Sequence, residues 1–221
     1  MKLYGYWRSS SSWRVRIALN HKGVKWDYVA VNLIKDGGEQ YKSDYRAKNA
    51  MSQVPLLEWE EGGQTKRLAQ SMAIIEYLDE TIPNPAILPR DPFLRAQTRM
   101  LAEIVNSGIQ PLQNAAVLKK VKELSGGVEH SDANWAREWL ERGLRGMENS
   151  VKPLAGKYCV GDSVTLPDFY LVPQMYSARR FKVDLAPYPT LARIDEALCA
   201  LPAFKAAHAD NQPDTPPAEK K

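Results

Sequence analysis

Long apolar runs are missing from this chain: none approaches the roughly 20 residues needed to span a bilayer. The opening Met1-Lys2-Leu3-Tyr4-Gly5-Tyr6 has no apolar signal core and reads directly as a strand, so a soluble, cytoplasmic protein is expected, with no membrane partner. Cysteine is nearly absent. Cys159 and Cys199 stand far apart with no C-x-x-C pair, which excludes a disulfide framework or a cysteine metal site and fits a reducing compartment. His21, His130 and His208 are equally dispersed, so no metal centre is expected. An excess of one charge is lacking too. Thirty Lys and Arg are scattered among 26 Asp and Glu for a net +4, too little for a nucleic-acid partner though compatible with an anionic substrate. What is present is ordinary for a globular chain: 44% hydrophobic content over 221 residues argues against disorder and allows one or two domains.

Element types alternate in the first part. Lys2 to Tyr6 reads as a strand, and the serines Ser9 to Ser12 precede a helix in which Trp13, Ile17 and Ala18 share one face. Gly23 marks the helix end, Trp26 to Val31 a second strand, and Glu39 to Lys48 a polar helix. Val54 to Trp59 and Thr65 to Leu68 are two strands joined by Glu60-Glu61-Gly62-Gly63, a hairpin signal, and Ser71 to Asp79 is a helix. The order βαβ, helix, ββα is that of a thioredoxin-like domain with a mixed sheet. Pro83, Pro85 and Pro89 then break the chain into an interdomain linker. Beyond it helical periodicity dominates. Asp91 to about Lys122 reads as one long helix kinked near Ser107 to Pro111, and Asp132 to Lys152 as the next. Thr165 and Asp168 occupy the first and fourth positions of a capping box with Pro167 in the first turn, and shorter helices follow from about Leu191 and from Pro202. The proline-containing tail from Gln212 is expected to be loose. The expected division is 1–82, thioredoxin-like, and 89–221, an all-helical bundle with that tail.

Three segments carry possible chemistry. Trp7-Arg8-Ser9-Ser10-Ser11-Ser12 lies between strand and helix, where unpaired N–H groups attract anions and hydroxyls can donate to a thiolate, lowering its pKa below about 8.5. Gln70-Ser71 opens another helix, suited to a carboxylate. Val54 precedes Pro55 and is pushed into extended geometry; a cis bond there leaves backbone groups able to pair with a peptide ligand. Serines also simply cap helices and fill turns, and none of the three is decisive alone. Their order within one βαβ–ββα unit is what counts.

That order, with several longer runs, resembles the zeta class of glutathione transferases, the family of maleylacetoacetate isomerases. The similar runs are Ser9 through Leu19, Asn32-Leu33-Ile34-Lys35-Asp36-Gly37-Gly38, Gln53-Val54-Pro55, and Gln70-Ser71 with Ala73 to Leu78. In the helical part they are Gly108 to Asn114, Arg180 to Leu185, and Gln212-Pro213-Asp214-Thr215-Pro216. The resemblance covers essentially the whole chain. It implies the glutathione transferase fold, a thioredoxin-like glutathione-binding domain followed by a helical substrate-binding domain. It also implies glutathione as cofactor and a homodimer.

The resemblance further implies that Ser9, with Ser10 and Ser11 beside it, activates the glutathione sulfur. Gln40, Val54, Gln70 and Ser71 match glutathione-contacting positions, and Gln110 and Asn114 match positions reaching the site from the helical domain. One departure stands out: Ser11 occupies the place of a cysteine common in the family, so any role needing a protein thiol there is lost. The implied reaction is cis–trans isomerisation of maleylacetoacetate to fumarylacetoacetate in tyrosine and phenylalanine catabolism, by thiolate addition, bond rotation and elimination. Arginine's planar fork suits a dicarboxylate substrate, and Arg8 and Arg180, one from each domain, are the expected anchors, with Arg179 pointing elsewhere. A maleylpyruvate isomerase, using the same chemistry on a shorter keto acid, and a non-catalytic glutathione-transferase-like binding protein are the alternatives.

Overall fold

In the computed structural model, which describes residues 1–220, the chain forms two compact units, Met1–Pro85 with Leu201 onward, and Ala86–Ala200. The first is built on a four-stranded sheet. Strand β1 (Lys2–Gly5) runs parallel to β2 (Asp27–Ala30) and antiparallel to β3 (Leu56–Glu61), which pairs antiparallel with β4 (Gln64–Ala69), in the order β2-β1-β3-β4. Gly62 and Gly63, with φ of 58° and 74°, make the two-residue turn between β3 and β4; two positive φ values in succession are what a tight hairpin of this hand requires. Helix α1 (Ser10–His21) crosses between β1 and β2, and α3 (Ser71–Thr81) follows β4. Leu3, Val15, Ile17, Leu19, Leu56, Leu57, Ile74, Ile75 and Leu78 close the core, and each such side chain buried contributes about 1.5–3 kcal/mol.

The expected helix over Glu39 to Lys48 is broken into a 3-10 turn (Glu39–Tyr41) and the single-turn α2 (Ser43–Arg46), separated by an extended Lys42. Local side-chain bonds compete with helix here: Glu39 Oε2 accepts from the Asn32 N–H at 2.8 Å. Val54–Pro55 is cis, as is Asn84–Pro85.

In the second unit, α4 (Pro92–Asn106) ends well before α5 (Ala115–Leu124). The chain between them turns through a 3-10 segment (Gln110–Gln113), so the expected long kinked helix is two helices with a full break. Helices α6 (Ser131–Val151), α7 (Leu166–Arg180) and α8 (Pro189–Cys199) complete the bundle. Helix α7 is buried almost all round and packs on α4 and α8. Its start is capped as expected: Asp168 Oδ2 accepts from the Thr165 N–H at 2.7 Å and from its hydroxyl at 3.0 Å. Burial pushes the Asp168 carboxyl above the ordinary range, against the pull of hydrogen bonds from Thr165 and Cys159.

The C-terminal segment departs from expectation. Helix α9 (Pro202–Ala207) packs on α1, and residues from Leu201 onward group with the first unit instead of the helical one. The tail from Gln212 is not loose. Gln212 and Thr215 are buried. The Gln212 amide donates to the carbonyls of Ala206 and His208 at 3.1 and 2.8 Å, and the Thr215 hydroxyl to that of Ala209 at 2.6 Å.

Candidate active site

The sheet register gathers the first unit's expected residues. Gly5 pairs with Ala30, Tyr4 with Leu56, and Leu56 with Ala69, so four segments leave one end of the sheet together. They are the turn after β1 carrying Arg8 and Ser9, the segment after β2 carrying Gln40, the Val54–Pro55 approach to β3, and Gln70–Ser71 after β4.

Ser9 is the N-cap of α1. Its backbone is extended, and its Oγ accepts from the Ser12 N–H at 3.2 Å. A hydroxyl that accepts through a lone pair keeps its own proton for donation. Ser10 and Ser11 open the helix and, like Ser9, are half-buried. Ser12 turns inward and is fully buried, which removes it from the site. Arg8 is half-buried, its guanidinium 5.1 Å from the centre of the Trp7 ring. Beneath the serines lie two arginines that periodicity alone would have left on the surface. Arg14 donates to Ser71 Oγ at 3.2 Å, linking the starts of α1 and α3. Arg16 donates to the carbonyls of Tyr6, Trp7 and Ala207 at 3.3, 2.9 and 3.1 Å. Burial lowers the Arg16 pKa to about 10, against the pull of Tyr28 and Asp214.

At the start of α3, Gln70 has a φ of 71°, turning the backbone so that the first-turn N–H groups of Ser71 onward face outward from the helix ladder. Ser71 itself is buried and its oxygen engaged by Arg14, so its side chain orients the helix start and its backbone faces any anion. Gln40 is buried, donates to the Leu33 carbonyl at 3.4 Å, and its Oε1 has no protein partner. Such an acceptor is available to water or to a bound polar ligand. Gly38, φ 103°, lies so close that a Cβ there would collide with the Gln40 amide.

In the second unit, Gln110 begins the 3-10 break and Asn114 caps α5, its Oδ1 accepting from the Ala116 N–H at 2.9 Å. The break is held by Trp135, which donates to the Leu112 carbonyl at 2.9 Å, and by the buried pair Gln113–Gln174 at 3.0 Å. Arg180 is the exposed last residue of α7, where a cation suits the helix terminus, and lies 4.8 Å from the Phe181 ring. Its neighbour Arg179 is committed to the buried Asp195. One cavity of about 460 Å³, lined by Leu88, Leu94, Pro153, Asp162 and Thr165 among others, includes none of the expected site residues.

Neither cysteine offers a reactive thiolate. Burial and Asp168 push the Cys159 thiol well up, and burial and Asp195 push Cys199 up to about 12. The polar set at the sheet end offers a capping serine and helix starts suited to an anionic ligand, and it contains no cysteine.

Residues 1–80 match the family described as Glutathione S-transferase, N-terminal domain. The chain is 49% identical to the maleylacetoacetate isomerase of Rattus norvegicus, over 97% of this chain and 94% of that one. It is 54% identical to a maleylacetoacetate isomerase of Anaeromyxobacter dehalogenans whose crystal structure holds glutathione in the active site, with a TM-score of 0.89 and 97% of each chain covered. A structure of a maleylpyruvate isomerase, described as a bacterial glutathione S-transferase in zeta class, gives 44% identity and a TM-score of 0.90, covering 98% of this chain and all of that one. At such identity over nearly the full length, the chain belongs to the maleylacetoacetate isomerase family, the zeta class of glutathione transferases.

Proposed function

We propose that this protein is a glutathione-dependent isomerase that converts maleylacetoacetate to fumarylacetoacetate. The reading is carried by one observation: the sheet register brings a capped serine turn, a buried glutamine with an open acceptor and a second helix start to one end of a domain that contains no cysteine. Bound glutathione supplies the missing nucleophile, a thiolate whose reversible addition turns the substrate's cis double bond into a bond that can rotate.

The chain's residues supply the rest. Ser9, its oxygen engaged by the Ser12 N–H, donates its proton toward the sulfur and favours the ionised form, with Ser10 and Ser11 adjoining. The α3 start at Gln70–Ser71 takes a carboxylate, the Val54 backbone takes the peptide, and the Gln40 amide takes a further polar group. For the substrate's carboxylates, Arg8 in the first unit and Arg180 in the second are the anchors, because a dicarboxylate leaving water needs its charges paired. Gln110 and Asn114 are the second unit's candidate amide contacts. A crystal structure of the Anaeromyxobacter dehalogenans isomerase holds dicarboxyethyl glutathione and citrate, ligands of the chemistry these side chains suit.

Turnover of maleylacetoacetate by the purified protein, dependent on added glutathione, tests this reading; equal rates without glutathione would overturn it. The 44% identity to a maleylpyruvate isomerase keeps one rival in play, and a faster turnover of maleylpyruvate would select it.

A homodimer is part of the proposal. Tyr41 and Met51 are exposed in the first unit, and Phe93 and Met100, seven apart on α4, in the second, apolar surface that a second copy would cover. A monomeric mass at micromolar concentration would count against it. Among the described residues no helix is long and apolar enough to cross a membrane. A cytoplasmic, reducing setting fits the two free cysteines.

A further inference from the structure

The turn that carries Arg8 and Ser9 is held from outside itself. Within the turn, the Ser9 N–H donates to the Tyr6 carbonyl at 3.0 Å. From below, Arg16 takes the carbonyls of Tyr6 and Trp7. From the far end of the sequence, Asp214 Oδ2 accepts from the Trp7 N–H at 3.0 Å. The residue that does this is itself fixed: Gln212 and Thr215, on either side, are buried and bonded to carbonyls of the preceding segment. The same segment reaches α1 twice more, through the Ala207 carbonyl on Arg16 and through His208, whose ring lies 4.8 Å from that of Trp13, edge-on. Trp13 in turn donates its N–H to the Ser9 carbonyl at 2.9 Å. These three contacts with the turn and α1 thus end one or two bonds from Ser9.

We propose that Asp214 is a positioning residue for the Ser9 hydroxyl: by binding the Trp7 N–H it fixes the turn from Tyr6 to Ser9 in the geometry that presents the serine to the thiol. The inference rests on the reading of Ser9 as the thiol-activating residue. Its physical basis is the steep dependence of catalysis on placement, where a misplacement of about 1 Å can cost on the order of 10²-fold in rate. The carboxylate also favours the charged form of the buried Arg16, whose fork holds the two carbonyls of the same turn. A lone backbone N–H could be capped by water. A carboxylate delivered by an anchored tail gives it one fixed position.

The test is Asp214→Ala in the full-length protein, read four ways: turnover, KM for glutathione, the pKa of bound glutathione from its thiolate absorbance, and hydrogen exchange at the Trp7 and Ser9 amides. The expected result is a fall in kcat of about 10-fold or more with a smaller change in KM. A rise of about one unit in the bound thiol's pKa and faster exchange at Trp7 should accompany it. Asp214→Asn, which keeps an acceptor for the Trp7 N–H, should recover most of the rate. Lys22→Met is the stability control. Its ammonium holds Asp79 and the carbonyls of Ile82 and Pro85 at the opposite end of α1, so its loss should lower the melting temperature and leave the thiol pKa alone. Thr215→Val loosens the tail and keeps every group at the turn; if Asp214→Ala does not fold, a smaller shift of thiol pKa in the same direction supports the proposal and an unchanged pKa overturns it. A folded Asp214→Ala that loses stability with thiol pKa and Trp7 exchange unchanged also overturns it. If the wild type shows no bound thiolate, the Ser9 reading falls instead, and Trp7 exchange alone decides whether the tail holds the turn.

Discussion

Ser9 caps a helix and is the proposed thiol activator, and a pair of substitutions separates the two roles. As N-cap of α1 its oxygen accepts from the Ser12 N–H at 3.2 Å, and as the proposed thiol activator its proton points outward. Ser9→Ala removes both. The lost cap costs about 1 kcal/mol, which for a chain of this size is roughly 2–4 °C in melting temperature. The lost donor should lower turnover by about 10²-fold or more, the scale for one positioned hydrogen bond to developing charge. Ser9→Asp keeps the cap, since aspartate ranks with serine at this position and suits the positive end of a helix. An ionised carboxylate has no proton to give, and it sets a negative charge beside the thiolate. At about 4 Å and an effective dielectric of 20 that repulsion is roughly 4 kcal/mol. Discounted for the half-exposed position, it corresponds to a rise of about one to two units in the bound thiol's pKa. Thermal melts and pH titration of thiolate absorbance read the two effects independently. The expected pattern is Ser9→Ala less stable and slow, Ser9→Asp as stable as wild type and slower still. Wild-type turnover in Ser9→Asp would refute the assignment and move the role to Ser10 or Ser11.

Arg180→Met and Arg8→Met should each weaken use of maleyl keto acids by about 1.5–3 kcal/mol, the range for a charge-assisted hydrogen bond. Glutathione conjugation to a neutral electrophile, measured in parallel, should change much less; an equal loss would assign the arginine a structural role. Ser11→Cys, restoring the family's common residue, should leave isomerisation kinetics largely intact because the attacking sulfur is not the protein's. Glu58 gives a pH prediction. Burial alone would raise its pKa, but Arg67 at 2.7 Å, the Tyr4 hydroxyl at 3.0 Å and Lys48 at 3.5 Å outweigh it and hold the carboxyl below the ordinary range. A carboxyl with a lowered folded pKa stabilises above its unfolded value, and that stability is lost as pH falls through the folded one. Glu58→Gln should therefore flatten the acid limb of melting temperature against pH between those two values.

Much of the first unit was legible because its signals are local. Gly62-Gly63 between two short strands, Val54 before Pro55, and Thr165 followed by Asp168 each encode a geometry within four residues. Arg14 and Arg16 were not legible. A charged residue among apolar neighbours reads as surface, and what permits their burial is distant in sequence: Ser71 for the first, Tyr6, Trp7 and Ala207 for the second. The tail misled for a related reason. Its prolines lack donors and read as disorder, yet the Gln212 and Thr215 side chains supply the bonds its backbone does not. The resemblance had already flagged Gln212 to Pro216, and an acidic residue inside a matching terminal run was the available hint toward Asp214. Over Asp91 to Lys122 the periodicity was real on both sides of Gly108 and Pro111, but the sequence does not say whether such a pair bends a helix or ends it. Here the 3-10 segment is secured by Trp135 and Gln174, residues of later helices.

The first unit is discontinuous in the chain, and that bears on how it is made. During translation its first 85 residues emerge ahead of the whole second unit, while α9 and the residues after it follow that unit. At roughly 5–20 residues per second the interval is on the order of ten seconds. Throughout it, Arg16 lacks the Ala207 carbonyl and Trp7 lacks Asp214, so the nascent domain waits with a polar slot open beside α1. The residues that fill it are made only after the second unit, so the first domain to begin emerging is completed across the whole length of the other.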